Sequence, residues 1–251
     1  MPATPALPPS SLPRLYVEQA LADGLMLTLE GPPANYLANV LRLQPGAQVK
    51  LFDDRTGEWL AELSEAGRKR VTLAVLKHLR PREPVPDLWL LFAPIKRGRV
   101  DWLVEKSTEL GVARLVPVLT QRTVVDRLNL ERLRAHAIEA AEQCERTALP
   151  ELAEPAKLDA LLRAWPGGRT LYFADEGGGE PLADAAESGP AAILIGPEGG
   201  FTDAEGEAIR RLPPARPVSL GPRILRADTA AVAAIAIWMS RAGDWNVAAD
   251  R

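Results

Sequence analysis

The chain of 251 residues has few of the side chains that bind metals or form cross-links. Its only cysteine is Cys144, and its only histidines are His78 and His136. A single cysteine excludes an internal disulfide bond, and these three side chains are too few for a four-ligand structural zinc site. We therefore expect no disulfide bond and no bound metal.

Long apolar runs are missing as well. The only sustained apolar stretch, 229–239, is alanine-rich and far shorter than the roughly 20 residues of a membrane span. No charged-then-apolar leader opens the chain. With 47% apolar and 25% charged residues, the composition is typical of an ordinary soluble protein. We expect a cytoplasmic protein that does not contact membranes.

An excess of positive charge is absent, since the formal net charge is −3. Basic residues nevertheless cluster locally, as in Lys96-Arg97-Gly98-Arg99. Such clusters can bind phosphates, although a solvated turn explains any one of them equally well. If the partner is RNA, the lack of an overall positive charge favours a structured, preassembled target over indiscriminate binding.

The sequence has a two-part organisation, of which the first part is rich in short strands. Residues 1–13 are proline-rich and lack periodicity, which predicts a disordered tail. Residues 14–80 contain short alternating or apolar segments separated by Gly or Asp turns, with one helix at about 33–41. This pattern predicts a small β-barrel-like domain.

The second part follows a stiff connection. Residues 81–86 contain three prolines, which block both helix and sheet pairing and indicate a linker. From 87 to 251, strands alternate with helices, a pattern typical of an α/β domain with a mainly parallel sheet. The predicted strands are 87–93, 114–119, 170–174, 191–195 and 218–220, and the predicted helices are 99–110, 130–145, 203–212 and 228–242.

Two glycine-containing loops carry the strongest functional signal. The apolar strand 191–195 runs into Gly196-Pro197-Glu198-Gly199-Gly200, and the strand at 218–220 runs into Gly221-Pro222-Arg223-Ile224-Leu225-Arg226. Loops of this kind let main-chain groups face a ligand at the carboxyl ends of parallel strands. Neither loop matches the Walker A or GxGxxG patterns. One such loop alone is more often a structural turn, but the pair favours a small-molecule pocket.

Both loops lead into helices, and their side chains suit an acceptor-rich ligand. Thr202 with Glu205 predicts a capping box, and Asp228 is positioned to cap the last helix. Arg223 and Arg226 flank an Ile-Leu pair, an arrangement suited to a flat ring and a phosphate. The alternative is that both arginines are solvated and the Ile-Leu pair lies in the core.

Several motifs of this chain resemble those of a known protein family. Four segments, 106–112, 139–143, Ile195–Phe201 and Leu220–Arg226, resemble the signatures of the bacterial 16S ribosomal RNA uridine N3-methyltransferase family, of the SPOUT superfamily. The resemblance covers nearly the whole chain. It implies a PUA-like RNA-binding barrel, an α/β domain with a deep trefoil knot, bound S-adenosylmethionine, and a homodimer acting on 16S ribosomal RNA in the assembled small subunit.

The family pattern also implies site residues, taken over position by position. The implied cofactor-binding residues are Phe173, Ala174, Gly196, Pro197, Glu198, Gly199, Gly200, Leu220, Gly221, Ile224, Leu225 and Arg226. The residues expected to hold RNA are Arg14, Arg42, Lys96, Arg97, Arg99 and Arg122.

Three positions depart from the family pattern. Tyr36 stands where the family commonly has histidine, Gln121 where a glutamate is frequent, and Asp228 where a longer glutamate is usual. With these changes we still expect the cofactor to bind, but a catalytic carboxylate at Asp228 is in doubt.

Methyl transfer to uridine N3 requires alignment and loss of the imide proton. Arg226 and Arg223 are candidates for stabilising the resulting anion. Lys106 is a further catalytic candidate if its stem is buried; alternatively it is an exposed partner for Glu105 or Glu109. Cys144 is interpreted as a packing residue, because N-methylation needs no covalent enzyme adduct.

Two other functions remain compatible with the sequence. One is a related knotted methyltransferase that modifies another base or another RNA, which would share the cofactor loops. The other is a non-catalytic RNA-binding assembly protein that retains the fold. Cofactor binding and the identity of the modified nucleoside separate the three.

Overall fold

The computed structural model describes residues 12–67, 69–124, 127–175 and 177–246. The predicted disorder of the tail falls almost wholly on residues 1–11, which lie outside the described residues. The chain divides into two compact units. Unit 1 comprises residues up to Pro84 together with Ala141–Ala148, and unit 2 comprises Val85–Ala140 and the chain from Leu149 onward.

Unit 1 is built on a five-stranded sheet with strand order β1-β3-β4-β5-β2. Its strands are β1 (Arg14–Tyr16), β2 (Met26–Glu30), β3 (Gln48–Asp53), β4 (Gly57–Ala66) and β5 (Arg70–Arg80). All pairings are antiparallel except β1 with β3. Along β5 the buried residues Val71, Leu73 and Val75 alternate with exposed or half-buried ones, so one face of the strand packs into the core.

The predicted helix at 33–41 is present but divided. Helix α1 (Gly31–Asn35) begins two residues earlier than predicted and continues as a π-helical turn, Tyr36–Val40. Pro32 and Pro33 occupy its first turn, where a missing N–H costs no hydrogen bond. Leu37 is fully buried, whereas Tyr36 is exposed.

Buried charges attach the segment Ala141–Ala148 to the strands of unit 1. Arg14 donates to Glu58 at 2.5 Å and to the carbonyl oxygens of Ala141 and Arg146 at 2.6 and 2.7 Å. The sequence prediction assigned this segment to the second domain, because nothing in its pattern reveals a bond made across more than 120 residues. Arg14 is 9% exposed and bonded internally, so it is an interior residue and not part of an RNA-binding surface.

Unit 2 contains an eight-stranded sheet in which every pairing is parallel. The order is β11-β13-β10-β12-β6-β7-β8, with β9 paired to β7. The strands are β6 (Leu88–Phe92), β7 (Arg114–Leu119), β8 (Glu151–Leu152), β9 (Ala156–Lys157), β10 (Thr170–Ala174), β11 (Glu180–Pro181), β12 (Ala191–Ile195) and β13 (Ala215–Ser219).

Helices cover both faces of this sheet. They are α2 (Arg97–Glu109), α3 (Leu130–Gln143), α4 (Leu158–Arg163), α5 (Leu182–Ala185), α6 (Asp203–Arg210) and α7 (Ala227–Arg241). All five residues of β12 are buried; Ile193 packs into the core with α2 and α7, and Leu194 into the core with α4 and α6. Burial on both faces explains why the strand is continuously apolar.

The predicted α/β pattern agrees with the long elements and misses the short ones. Strands 114–119, 170–174 and 191–195 have the predicted bounds. The two-residue strands β8, β9 and β11 and the short helices α4 and α5 were not predicted, because so few residues carry no periodic signal.

The two predicted helix caps have different outcomes. The capping box of Thr202 and Glu205 is confirmed, with both reciprocal hydrogen bonds present. The predicted cap by Asp228 is wrong: α7 starts after Arg226 and has no side-chain cap. Asp228 lies in the first turn, where its carboxylate accepts a hydrogen bond from the N–H of Thr229.

Candidate functional site

Three neighbouring strands place the predicted cofactor segments together. β13, β10 and β12 are adjacent and parallel, so their carboxyl ends share one edge of the sheet. Ala174 ends β10, Gly196 follows β12 directly, and Leu220 follows β13 directly. Segments that are more than 20 residues apart in sequence therefore meet where open α/β sheets bind ligands.

The first of these loops, 196–200, is a compact turn that depends on glycine. A Cβ atom on Gly196 would lie 3.0 Å from the ring of Phe201, so the ring packs directly against the backbone. Gly200 has φ +66° and its N–H bonds to the carbonyl oxygen of Pro197 at 2.9 Å. Pro197 is buried, whereas Glu198 and Gly199 are exposed.

The second loop, 220–226, presents apolar and cationic side chains. Leu225 packs against the core, but Ile224 is 92% exposed, an unusual position for so large an apolar side chain. Arg223 and Arg226 are also exposed. The sequence left two arrangements open: a loop that faces a ligand, or solvated arginines with the Ile-Leu pair in the core. The structure has features of both, because Leu225 packs against the core while Ile224 is accessible together with the arginines.

The side chain of Arg122 binds main-chain carbonyl groups of the first loop and of the residue that follows it. Its Nη1 atom donates to the carbonyl oxygens of Gly199 and Phe201 at 2.6 and 3.2 Å. The adjacent residue, Gln121, donates its N–H to Oε1 of Glu205 at 2.7 Å. Gln121 departs from the family pattern, but it makes this contact with α6 through its backbone N–H and not through its side chain.

Arg99 contacts the same loop from α2. Its Nη1 atom lies 3.1 Å from Oε1 of Glu198 and 3.7 Å from Oδ2 of Asp228, in the first turn of α7. One guanidinium therefore connects the first loop with the helix that follows the second loop. Arg99 and Arg122 were expected to contact RNA; the structure shows that both side chains contact the first loop.

The remaining predicted residues are distributed more widely. Lys106 forms a 2.7 Å ion pair with Glu109, one turn further along α2, which matches the exposed-partner alternative of the sequence interpretation. Arg42, with φ +54°, and Lys96 are exposed. The side chain of Arg97 lies outside what the structure describes.

Neither metal ligation nor membrane insertion has support in the described part of the chain. Its residues contain no group of three or more His, Cys, Asp or Glu side chains placed to hold a metal ion. Within the same residues, each helix is too short or too polar to cross a bilayer.

Comparison with family models gives two matches. Residues 81–239 match an RNA methyltransferase domain, and residues 29–76 match an RNA methyltransferase PUA domain. The first match alone covers more than half of the chain.

Individual proteins show the same similarity. The chain is 34% identical over 231 residues to the ribosomal RNA small subunit methyltransferase E of Synechocystis, covering 89% of this chain and 76% of the relative. It is 29% identical over 229 residues to the protein of the same name from Rickettsia conorii, covering 89% and 93%.

Solved structures agree with these matches. The ribosomal RNA small subunit methyltransferase E of Neisseria gonorrhoeae, bound to S-adenosyl methionine, has a TM-score of 0.85 at 29% identity, covering 94% of this chain and all of that one. A Legionella pneumophila protein solved with the bound cofactor SAM has a TM-score of 0.80 at 29% identity, covering 91% and 97%.

Proposed function

Because this chain belongs to the RNA methyltransferase family, we propose that it transfers the methyl group of S-adenosylmethionine to N3 of a uridine in 16S ribosomal RNA. The observation that carries the proposal is the convergence of three predicted cofactor segments at the carboxyl ends of β13, β10 and β12. The relatives that were solved with this cofactor support it.

The residues at this edge suit S-adenosylmethionine. A Cβ atom at Gly221 would meet nothing within 4 Å, so the backbone there borders open space. Leu220 and Ile224 offer apolar contact for an adenine ring, and the carboxylate of Glu198 offers an opposite charge for a cationic group. Main-chain groups of 196–200 and Phe173-Ala174 complete the proposed binding set.

The bound cofactor supplies an activated methyl group on a sulfonium. The protein must then align the uridine and favour its N3-deprotonated form. Arg226 and Arg223 are exposed on the second loop and carry the positive charge that stabilises a uracil anion. For Lys106 we propose a smaller catalytic role than for the two arginines, because its ammonium is paired with Glu109.

RNA binding is proposed for both units. The match of residues 29–76 to an RNA methyltransferase PUA domain supports RNA binding by unit 1, where Arg42 is exposed. In unit 2, Lys96 is exposed beside Arg97, and Arg99 and Arg122 keep part of their surface. The net charge of −3 favours a structured target such as the assembled small subunit, and hence action in the cytoplasm.

We further infer the finer architecture that the family resemblance implies: a barrel in unit 1, a trefoil knot through the cofactor loops, and a homodimer. The outer face of α7 carries Val232, Ala233 and Ala236, all half-buried, and α2 exposes 41% of Trp102. An apolar surface on these two helices is suited to contact between subunits.

A methylation assay tests the function. Small ribosomal subunits lacking the modification are incubated with the protein and S-adenosylmethionine, and the nucleosides are analysed by mass spectrometry. We expect N3-methyluridine with the wild type and none with Arg226→Ala, whereas Arg211→Ala, which removes an exposed arginine at the C-terminal end of α6, should behave as wild type.

The alternatives give distinct results in the same assay. A different methylated nucleoside would indicate a related methyltransferase with another target. Absence of cofactor binding by calorimetry, with RNA binding retained, would instead support a non-catalytic RNA-binding protein. Wild-type activity in Arg226→Ala would remove this residue from the proposed catalytic set.

A further inference from the structure

The carboxylate of Glu205, in the first turn of α6, forms more hydrogen bonds than a helix cap requires. Its Oε2 atom accepts from the N–H and the hydroxyl of Thr202 at 2.9 and 3.0 Å, which belongs to the capping box. Its Oε1 atom takes no part in the capping box and accepts the N–H of Gln121 at 2.7 Å. One oxygen therefore serves the helix, and the other serves a segment 84 residues away.

Glu205 is also buried, with 8% of its surface exposed. Burying a carboxylate is costly unless hydrogen bonds compensate for the lost water. A capping box needs only one bond from the glutamate side chain to the first residue of the box, and an exposed glutamate supplies that bond equally well. The burial and the bond to Gln121 therefore indicate a second role for this side chain.

The segment that Glu205 contacts is a tight turn directly after β7. The N–H of Thr120 donates to Oγ1 of Thr123 at 2.9 Å, and the N–H of Thr123 donates to the carbonyl oxygen of Thr120 at 3.2 Å. Gln121 and Arg122 occupy the middle of this turn. The bond from Gln121 to Glu205 thus fixes the turn against α6, and with it the backbone from which the Arg122 side chain extends.

Arg122 connects the turn to the first loop. Its Nη1 atom donates to the carbonyl oxygen of Gly199 at 2.6 Å, and a Cβ atom on Gly199 would lie 3.6 Å from Cδ of Arg122, so the stem packs over the glycine. The N–H of Gly200 belongs to the same peptide unit and donates to the carbonyl oxygen of Pro197 at 2.9 Å. Both polar groups of this unit are therefore held, which opposes the peptide rotation that glycine permits at little cost.

We propose that Glu205 is a positioning residue for the first loop. Acting through the turn that carries Arg122, it keeps the peptide unit between Gly199 and Gly200 in one orientation and so preorganises the loop for its ligand. The inference rests on the proposed function, which assigns this loop to S-adenosylmethionine. In this role Glu205 itself contacts neither the cofactor nor RNA.

Glu205→Gln separates the two roles of the carboxylate. Glutamine has one acceptor oxygen, and we expect it to stay on Thr202, because two donors meet Oε2 and only one meets Oε1. The cap is then kept, since glutamine also completes a capping box, while the amino group opposes the N–H of Gln121 and that bond is lost. Glu207→Gln, an exposed pair partner of Arg211 on the same helix, is the matched control.

Hydrogen–deuterium exchange of the cofactor-free full chain, followed by mass spectrometry, measures how well the loop is ordered. Segment 196–201 should exchange about fivefold faster in Glu205→Gln than in the wild type and in Glu207→Gln, as expected for the loss of one hydrogen bond. The amides of 206–210 in α6 should keep their wild-type rates, because the cap remains. A residue that only capped the helix would give the reverse pattern.

Isothermal titration with S-adenosylmethionine gives a second measurement. The Kd should rise about fivefold in Glu205→Gln and about fivefold in Arg122→Ala. In the double variant it should remain near fivefold and not reach about 25-fold, because both substitutions act through the same contact with the loop.

The proposal is overturned if segment 196–201 exchanges equally fast in Glu205→Gln and Glu207→Gln, or if the two effects on Kd multiply in full. Failure of the proposed function gives a different result. A wild type that binds no S-adenosylmethionine but shows the expected exchange pattern would reject the cofactor assignment alone. A wild type that binds the cofactor and methylates RNA, with Glu205→Gln equal to its control in exchange and Kd, would reject the positioning role alone.

Discussion

The guanidinium of Arg122 donates a 2.6 Å hydrogen bond to the carbonyl oxygen of Gly199, 77 residues away in sequence. The same nitrogen also reaches the carbonyl oxygen of Phe201. A charged donor thus holds two carbonyl groups of a loop whose glycines give it little side-chain packing of its own. The loop that we propose for cofactor binding is ordered from outside by a residue after β7.

Arg122→Ala should weaken cofactor binding, because the loop must then be ordered by the cofactor itself. A partly exposed hydrogen bond of this kind contributes about 1 kcal/mol, which corresponds to roughly a fivefold higher Kd. Isothermal titration with S-adenosylmethionine measures the change. Arg122→Lys should lose less, since an ammonium can still donate to one carbonyl group. An unchanged Kd in Arg122→Ala would show that the loop is ordered without this contact.

Arg99→Ala should also weaken cofactor binding, but in a salt-dependent manner. Arg99 pairs with Glu198 and Asp228 at a partly exposed position, so we expect an effect of about 0.5–1 kcal/mol at low salt. Titrations at low and at high salt should show the difference between wild type and variant shrinking as salt rises. Arg211→Ala, which removes an exposed arginine paired with Glu207, is the control and should leave the affinity unchanged at both salt concentrations. Equal effects at both salt concentrations would contradict an ion-pair role.

Gly221→Ala should reduce cofactor affinity through backbone strain. Gly221 has φ +106°, a conformation that residues with a side chain rarely adopt, although a Cβ atom there would meet nothing within 4 Å. The strain should cost about 1–3 kcal/mol or force the loop into another conformation. The comparison is Gly98→Ala, where φ is not positive and a Cβ atom also meets nothing within 4 Å. If calorimetry gave equal cofactor affinities for both variants, the loop conformation would be irrelevant to binding.

Glu58→Gln should destabilise the protein strongly. Glu58 has a 3% exposed side chain and faces the buried Arg14 and Lys50 and the partly exposed Arg80, so neutralising it removes the counter-charge of two buried cations. Breaking such a pair costs about 3–5 kcal/mol. Urea denaturation measures the free energy of unfolding, with Glu65→Gln, exposed on the same strand, as the control. If Glu58→Gln lost less unfolding free energy than the control, the charge cluster around Glu58 would contribute no net stability.

The same carboxylate predicts a pH dependence. Burial opposes its ionisation, but the hydrogen bonds and the positive charges of Arg80 and Arg14 together outweigh burial and lower the pKa of Glu58. A depressed pKa in the folded state contributes stability above the ordinary Glu pKa of about 4.3, and this contribution is lost as pH falls through the folded value. The free energy of unfolding should therefore drop below about pH 4.3 in the wild type. The drop should be shallower in Glu58→Gln, which has no carboxyl group at this position.

Sequence patterns predicted the long elements because each carries its own periodic signal. Strand 191–195 is apolar throughout because both of its faces are covered, and the capping box at Thr202 is contained within four residues. The glycine loops were visible for the same reason, since their conformations depend on residues within the loops. The short elements β8, β9 and β11 carried no such local signal.

The roles of the arginines, by contrast, depended on distant residues. Arg14, Arg99 and Arg122 all stand in sequences compatible with an exposed phosphate-binding side chain. The structure places Arg14 inside unit 1 and directs the other two to the first loop. A guanidinium on a long flexible stem binds whatever acceptor the fold brings within reach, and the local sequence does not contain that acceptor.

The sequence by itself determined the α/β pattern of the second part, the strand-rich first part and the identity of the loops that end β12 and β13. Tertiary structure alone decided that β10 lies between those strands and that 141–148 packs with unit 1. The physical reason is that periodicity and turn chemistry act over a few residues. Strand order and buried ion pairs arise from contacts between residues that are remote in the chain.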